Sequence, residues 1–430
     1  MSTGHALLSP SGADRWMLCP GSVAMTADLP DTSNIYGDEG TAAHFLASEA
    51  LTACSTAHAF TGEDIVVEDT GARFLSPNGA YVTGSRSFTI DDDMARHVQK
   101  YIDLVLDLAG EGELHVEQRL PIGHITGEED AHGTSDAVVI RDNELIVVDL
   151  KYGMGNRVDA DNNRQLMLYA LGALEEFGMV YDIQQVRLVI SQPRLDHVSE
   201  WLVALPALLE FAGDAMGAAK AATLAHKFAG NWRGNTDAAY LVPGEAQCKW
   251  CKAKATCPAL ASFVQAATGC DFDDLCASNP EQFNAPETVG KSLRAVSLIE
   301  DWCKAVRAKG EALLFEHNNS AEIIAALGWK LVQGKKGNRA WRNAEEAEEL
   351  LKKMRVQHDK MYDYKLISPT TAEKLAKSDV IGPRQWPKVE AMITQSPGKP
   401  SVAPESDKRP ALEIAPTADA FDDVSANELV

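Results

Sequence analysis

The stretch that most constrains this chain is residues 132–170, HGTSDAVVIRDNELIVVDLKYGMGNRVDADNNRQLMLYA. Its runs AVVI and ELIVVDL are β-branched and apolar. The turn residues Arg141-Asp142-Asn143 separate them, so they predict two strands of a hairpin. ELIVVDL is apolar nearly throughout, which suits a strand covered on both faces. An acid and a lysine at the end of such a strand are unfavourable unless they bind something. Asp149 and Lys151 are two apart, so both leave the same face of the strand. The following NRQLMLYALGALEEF predicts a helix on which Gln165 and Tyr169, four apart, share a face.

An acid on one strand (Asp136), with an acid and a lysine on the next, is what metal-dependent phosphodiester hydrolysis needs. Carboxylates hold a hard divalent cation such as Mg²⁺ or Mn²⁺. The cation polarises the phosphate and acidifies a bound water. The lysine orients that water and offsets the charge of the transition state. The plainer reading is that Asp149 caps a strand end and Asp136 is a turn residue, since a D-x-K triplet arises by chance about once in a chain of this size.

With 430 residues the chain has room for two or three domains. A hydrophobic share of 45% beside a charged share of 24% places it with soluble globular proteins. The net charge of −22 argues against a general polyanion coat but leaves room for a local basic groove. No stretch approaches a transmembrane helix, and MSTGHALLSPSGADRW lacks the basic and apolar regions of a signal peptide. The expectation is a cytoplasmic protein with no membrane partner, whose eight cysteines are thiols or metal ligands rather than a disulfide scaffold.

Read in order, Ser9 or Ser11 begins a short helix carrying Trp16 and Cys19. Residues 37–54 predict a helix entered through Gly40-Thr41, with Thr41 as cap and His44, Ser48 and Leu51 on one face. A lone His there is ordinarily a surface or core residue. Residues 55–92 read as an irregular insertion. DMARHVQKYIDLVLDLA predicts a helix, ELHVEQRL a strand with Glu117 and Arg119 on one face, and QVRLVIS a further strand. The order helix, three strands, helix, strand predicts a mixed α/β core.

A second chemical signal follows an Ala- and Leu-rich helical stretch at 203–229. Cys248, Cys251 and Cys257 are spaced C-x2-C-x5-C among Lys249, Lys252 and Lys254. Three clustered thiols need a fourth ligand. Cys19, also in a Cys-Pro context, is the candidate, because Cys54, Cys270, Cys276 and Cys303 lack a partner motif. Four thiolates suit a [4Fe–4S] cluster or a structural Zn²⁺. The alternative is unligated core cysteines, which the neighbouring lysines disfavour, since they are expected to lower the thiol pKa values.

Taken together, GTAAH, GTSD, DLK and QLMLY resemble the motif series of the RecB-like branch of the PD-(D/E)XK nuclease superfamily. The wording DLKYG and NRQLMLYALGAL also resembles a phage and prophage family catalogued as a domain of unknown function. The resemblance covers residues 8–260. It implies a restriction-endonuclease-like core, a mixed central sheet flanked by helices. It implies His44, Asp136 and Asp149 as metal ligands with the Leu150 carbonyl as a further one, Lys151 as the catalytic lysine, and Gln165 and Tyr169 as residues that position DNA. A cysteine before the core and C-x2-C-x5-C after it resemble the iron–sulfur nucleases of this branch, CRISPR-associated and AddB-type, which favours [4Fe–4S] over Zn²⁺ on Cys19, Cys248, Cys251 and Cys257.

The expected organisation is a nuclease domain at 1–262 closed by the four-cysteine subdomain, an α+β accessory domain at 263–394, and a disordered acidic tail at 395–430. Residues 280–318 predict a helix. GWKLVQGKKGNRAWRN mixes Lys330, Lys335, Lys336, Arg339 and Arg342 with Trp329 and Trp341. It reads as a solvated β-hairpin with core tryptophans, or as a surface that tracks a single strand. The expected function is a metal-dependent DNA exonuclease acting on ends or single strands in phage recombination or replication, inside a bacterial host. A structure-specific endonuclease and a non-catalytic DNA-binding scaffold are the alternatives. There is no G-x-x-x-x-G-K-[ST] loop, so a phage helicase, polymerase or single-strand-binding protein is the expected partner.

Overall fold

In the computed structural model, the described residues are 6–29, 34–68, 71–75, 85–155, 157–232, 240–268, 286–335, 339–362, 366–378, 380–394, 398–404 and 409–413. The chain divides into two compact units, Met1–Cys303 and Lys304–Val430.

The first unit opens with short helices α1 (Ala13–Leu18) and α2 (Ser22–Thr26), then α3 (Ile35–Thr52). Strands β1 (Asp64–Glu68), β2 (Gly71–Phe74) and β3 (Arg86–Thr89) form a small antiparallel sheet in the order β2-β1-β3. Residues 55–92, read from sequence as irregular, therefore hold a sheet; its strands are only four or five residues long, too short to show a clear alternation. Helix α4 (Asp92–Ala109) is capped by Asp91, whose side chain accepts from the Met94 amide, and it carries Asp92 and Asp93 at its positive end.

The central sheet has five strands in sequential order: β4 (Glu113–Pro121), β5 (His132–Arg141), β6 (Glu144–Leu150), β7 (Gln185–Gln192) and β8 (His197–Val203). All neighbours run antiparallel except β6 and β7. The tight turn between β5 and β6 has Asp142 at φ 54°, a conformation Asp tolerates. A short helix α5 (Gly123–Thr126) lies between β4 and β5, and between β6 and β7 the chain crosses through α6 (Arg164–Phe177), whose cap Asn163 accepts from the Leu166 amide. Helix α7 (Leu205–Lys227) follows β8.

Alternation along the strands divides the core. Val138, Ile140, Leu145, Val147, Leu188 and Ile190 pack with α6 and α7. Ala137, Val139, Ile146, Val148 and Val189 pack with α3 and α4. Helices thus cover both faces of a mixed sheet, which is why ELIVVDL has no polar alternation. Among the described residues, no helix is long and apolar enough to cross a membrane.

The first unit closes with α8 (Ala229–Trp232), α9 (Glu245–Lys249) and α10 (Pro258–Thr268), followed by the start of the long helix Pro286–Glu316. Cys248 and Leu260 share a core cluster with Leu298, against which Trp302 packs. That cluster extends the unit to 303, beyond the boundary expected at 262.

In the second unit, β9 (Trp329–Gly334) pairs with β12 (Gly398–Pro404), and β10 (Ala340–Trp341) with β11 (Ile393–Thr394). The expected hairpin across 328–343 is therefore replaced by pairings to distant segments. Trp341 packs against the unit's core and donates its indole N–H to the Ile367 carbonyl, whereas Trp329 is half exposed. Arg339 is paired with Glu373. The tail expected to be disordered from 395 supplies β12, and the Leu412 amide donates to the Leu331 carbonyl at 2.8 Å. Lys336, Cys270, Cys276 and the acidic residues from 414 onward lie outside the described residues.

Candidate metal centre and cysteine pocket

Strand pairing sets three carboxylates in a row. Val116 faces Ala137 and Gln118 faces Ser135, so Glu117 on β4 lies opposite Asp136 on β5. Ala137 faces Val148, and one step further along the same register sets Asp136 beside Asp149 on β6. Helix α3 brings His44 from the overlying layer, with Nδ1 2.9 Å from Asp136 Oδ1. The Leu150 amide donates to Asp136 Oδ2 at 2.7 Å. Ligand atoms of His44, Glu117 and Asp136 all lie within 4.8 Å of one another. They open onto a pocket of about 570 Å³ whose wall includes Gly37, Gly40, Thr41 and Ser48 of α3.

Two local irregularities serve this arrangement. Glu117 holds the left-handed conformation at φ 49°, uncommon for a residue with a Cβ and frequent at functional sites. A Cβ on Gly133 would lie 2.6 Å from Pro10 Cγ and 2.7 Å from Tyr169 Cε1, so only glycine fits there. Gly133 thus faces the α6 layer, whereas Ala137, four residues on, faces α3 and α4. The facing of β5 switches between them, and Asp136 sits in the switch. Helix α3 itself begins at Ile35, capped by the Asn34 side chain, which accepts from Tyr36 and Gly37. Thr41, expected as the cap, is within the helix and bonds back to the Gly37 carbonyl.

Asp149 belongs to a second group, joined to the first through the sheet. Lys151 Nζ lies 2.9 Å from Asp149 Oδ2 and donates to Gln165 Oε1 at 3.0 Å. Gln165 Nε2 donates to Asp149 Oδ1 at 3.1 Å and is 3.2 Å from the Tyr169 hydroxyl. Lys151 contacts Asp149 Oδ2 off the direction of a hydrogen bond, which leaves that buried oxygen without a hydrogen-bond donor. His44 and Asp136 therefore stand together as expected ligands, and Glu117 completes their trio where Asp149 was expected. Leu150 meets Asp136 through its amide. Tyr169, expected to contact DNA, is buried at 6% exposure with its ring against Gly133. Its hydroxyl instead steadies Gln165.

The charges are crowded. Burial and the Asp136 carboxylate push the Glu117 carboxyl up to about 7. Burial also raises Asp149, and Lys151 only partly offsets it. Burial opposes ionisation of Asp136, but the His44 charge, its hydrogen bond and the Leu150 amide hold that carboxyl below the usual range. For His44 burial disfavours the charged ring, yet Asp136 prevails and lifts it to about 9. A buried Asp149 with an unbonded oxygen, a half-buried Asp136 and an exposed Glu117 at the pocket wall form a donor set of the kind that suits a hard divalent cation.

The four cysteines form a separate pocket. Cys19, at the end of α1, Cys248, Cys251 and Cys257 all line it. Cys19 Sγ accepts from the Val242 amide at 3.4 Å, and the Gly21 amide donates to the Tyr240 carbonyl at 2.8 Å, tying the two flanks of the unit together. The sulfurs do not converge tightly: among the described residues the one group of three ligand atoms within 4.8 Å of one another is the His44 trio. Burial, reinforced by the neighbouring thiols, raises Cys19 to about 11, and burial raises Cys248 and Cys251 too. The expectation that lysines would lower these thiols is thus reversed, because burial outweighs Lys254. Cys54 is exposed and Cys303 half-buried, and neither lines this pocket.

A family model described as "Protein of unknown function (DUF2800)" matches residues 5–410. The chain belongs to the DUF2800 family. One solved structure, the crystal structure of SSO0001, is similar to it at 17% identity and a TM-score of 0.18 over 37% of this chain. The chain spans 66% of that structure's length, and a superposition this loose says nothing further about the fold.

Sequence reading of this DUF2800 protein placed Glu117 on a strand face but gave it no role. Its role depends on pairing with Asp136, a partner set by register rather than by any local motif. Glu117→Gln is expected to weaken Mn²⁺ binding about tenfold, by removing one charged oxygen ligand from a set of three. Titration calorimetry with Mn²⁺ checks this; unchanged affinity removes Glu117 from the ligand set.

Proposed function

We propose that this DUF2800 protein is a divalent-metal-dependent DNA nuclease of the RecB-like branch of the PD-(D/E)XK superfamily, acting as an exonuclease on ends or single strands. The observation that carries this reading is the convergence of Asp136, Asp149 and Lys151 on adjacent strand positions with His44 delivered from α3. The antiparallel β4-β5-β6 set, followed by a crossover helix and a parallel β7, supports a core of that type.

In this reading His44, Glu117 and Asp136, with Asp149 on the neighbouring strand, would hold Mg²⁺ or Mn²⁺, which would polarise the scissile phosphate and lower the pKa of water. Lys151 stays protonated, because Asp149 raises its pKa against the effect of burial. It therefore donates hydrogen bonds to the attacking water or a phosphate oxygen rather than accepting a proton. Gln165 fixes both Asp149 and Lys151, and the Tyr169 hydroxyl lies beside its amide.

The cysteine pocket supports a [4Fe–4S] cluster on Cys19, Cys248, Cys251 and Cys257. These four thiolates would hold the cluster, and a tetrahedral Zn²⁺ is the alternative on the same residues. A cytoplasmic role beside a phage helicase, polymerase or single-strand-binding protein is part of the same proposal.

The test is purified protein incubated with 5′- and 3′-end-labelled single- and double-stranded DNA, with and without Mn²⁺. The expected result is metal-dependent shortening from one end, absent on covalently closed circles. Intact substrates under every condition would overturn the nuclease reading, and cleavage of closed circles would convert it to an endonuclease.

A further inference from the structure

Between Cys248 and Cys251, Trp250 stands 78% exposed, well beyond the 47% of Trp329. Burying an indole is worth far more than leaving it in water, so a tryptophan held out of an otherwise packed segment is poised to meet a partner. The surroundings indicate which kind. Lys249 Nζ lies 5.7 Å from the centre of the Trp250 ring, over its face. Lys254 Nζ donates to the Lys249 carbonyl at 2.8 Å, folding the loop into a fixed shape. Residues 240–260 hold Lys249, Lys252 and Lys254 against the single acid Glu245, in a chain whose net charge is −22. An exposed aromatic ring with one lysine over its face and two more within four residues, on a protein otherwise strongly negative, suits a polyanion that carries unstacked planar groups.

The platform is also mechanically linked to the candidate metal centre. Helix α1, whose six residues span about 9 Å, ends at Cys19 in the cysteine pocket. Near its other end Asp14 holds Arg164 at 2.7 Å. Arg164 immediately precedes Gln165, which grips Asp149 and Lys151. Helix α1 thus links the segment that carries Trp250 to the residues assigned to cleavage.

We infer that Trp250, with Lys249, is a stacking platform for an unpaired base of single-stranded nucleic acid. The choice of partner rests on the nuclease reading, but its test does not require cleavage. Binding of a 20-nucleotide oligo-dT to the full-length protein is followed by fluorescence anisotropy without added divalent ion. Trp250→Ala is expected to weaken binding about tenfold, the size of one base stack, while Trp250→Phe stays within about threefold of wild type. Lys249→Ala should flatten the slope of log K against log salt by about 0.7. Affinity for blunt duplex, whose bases are already stacked, should be unaffected by Trp250→Ala. Unchanged oligo-dT binding in Trp250→Ala, or no oligo-dT binding by the wild type, overturns the platform and points to a protein contact at this tryptophan. The two readings fail separately. Loss of binding in Trp250→Ala in a protein that cuts no DNA leaves the platform and removes the nuclease. Metal-dependent cleavage with insensitive binding does the reverse.

Discussion

Replacing Asp149 with Asn is expected to lower the proposed metal-dependent DNA cleavage by at least about a thousandfold and to leave the fold in place. Asp149 is 3% exposed at the end of a strand covered on both faces. Its Oδ1 accepts from Gln165, and its Oδ2 carries an ion-pair contact to Lys151 without a hydrogen bond. The Asn side chain has the same shape and still accepts from Gln165, so the packing has no reason to move. What it loses is the charge, and with it a cation ligand. A bound metal supplies several kcal/mol of transition-state stabilisation, and about 4 kcal/mol corresponds to the thousandfold loss. The structural cost is smaller. Lys151 loses its counter-ion but keeps Gln165 as an acceptor, and its side chain is 32% exposed, so solvent screens part of the penalty. Lys151 also donates to Asp149 Oδ1 at 3.2 Å, an acceptor the Asn keeps. A cost of about 1–2 kcal/mol follows, a few degrees in Tm for a unit of this size. Single-turnover cleavage of labelled DNA in Mn²⁺ and a thermal melt give both numbers. Wild-type cleavage by the Asn variant removes Asp149 from the chemistry. Lys151→Ala should lose cleavage while retaining Mn²⁺ binding, which separates the lysine's role from that of the carboxylates.

The parts of this site that sequence made legible are those whose signal is local. ELIVVDL announced a buried strand because no other element tolerates that run, and the D-x-K at its end stood out by cost. Gln165 and Tyr169 were placed on one helix face by spacing alone. What could not be read was whatever depends on a distant partner. Glu117 matters because β4 pairs with β5 in one register and because its φ is 49°, and neither fact is written near residue 117. Tyr169 has the composition of a contact residue, but Gly133 and Pro10 close over its ring from other elements. The start of α3 was misplaced because Gly37 and Gly40 are poor helix formers. Asn34 caps the helix ahead of them, and Gly40 has open space before it, on the wall of the pocket. In the second unit the segment GKPSVAP reads as part of a disordered tail, from its richness in Pro and Ser. Among the described residues it is instead the strand partner of β9 in a two-stranded sheet, where proline is tolerated.

Cys19→Ala is expected to remove the metal proposed for the cysteine pocket and to lower the Tm by roughly 10 °C or more. The thiols start protonated, with Cys19 raised to about 11 by burial and by the other three sulfurs. A bound metal must displace those protons, and it then joins residues that are more than two hundred positions apart in the chain. By analogy with a disulfide closing a loop of that length, the restriction of the unfolded chain approaches about 5 kcal/mol. For a domain of this size each kcal/mol moves the Tm by about 2–4 °C. Removing one of four ligands should release the whole term, because three thiolates leave the cluster open. The effect reaches the metal centre as well. Helix α1 ends at Cys19 and through Asp14 holds Arg164, next to Gln165. A loosened α1 therefore lets Gln165 release Lys151, and cleavage should fall along with stability. Anaerobically purified wild type is expected to be brown with iron and sulfide in equal amounts, and the variant colourless. Cys54→Ala, at an exposed site outside the pocket, is the control and should change neither metal content nor Tm. Stoichiometric zinc in a colourless wild type replaces the cluster but preserves the latch. A Cys19→Ala protein that keeps its metal and melts within about 2 °C of wild type, the shift for at most about one kcal/mol, removes the latch altogether.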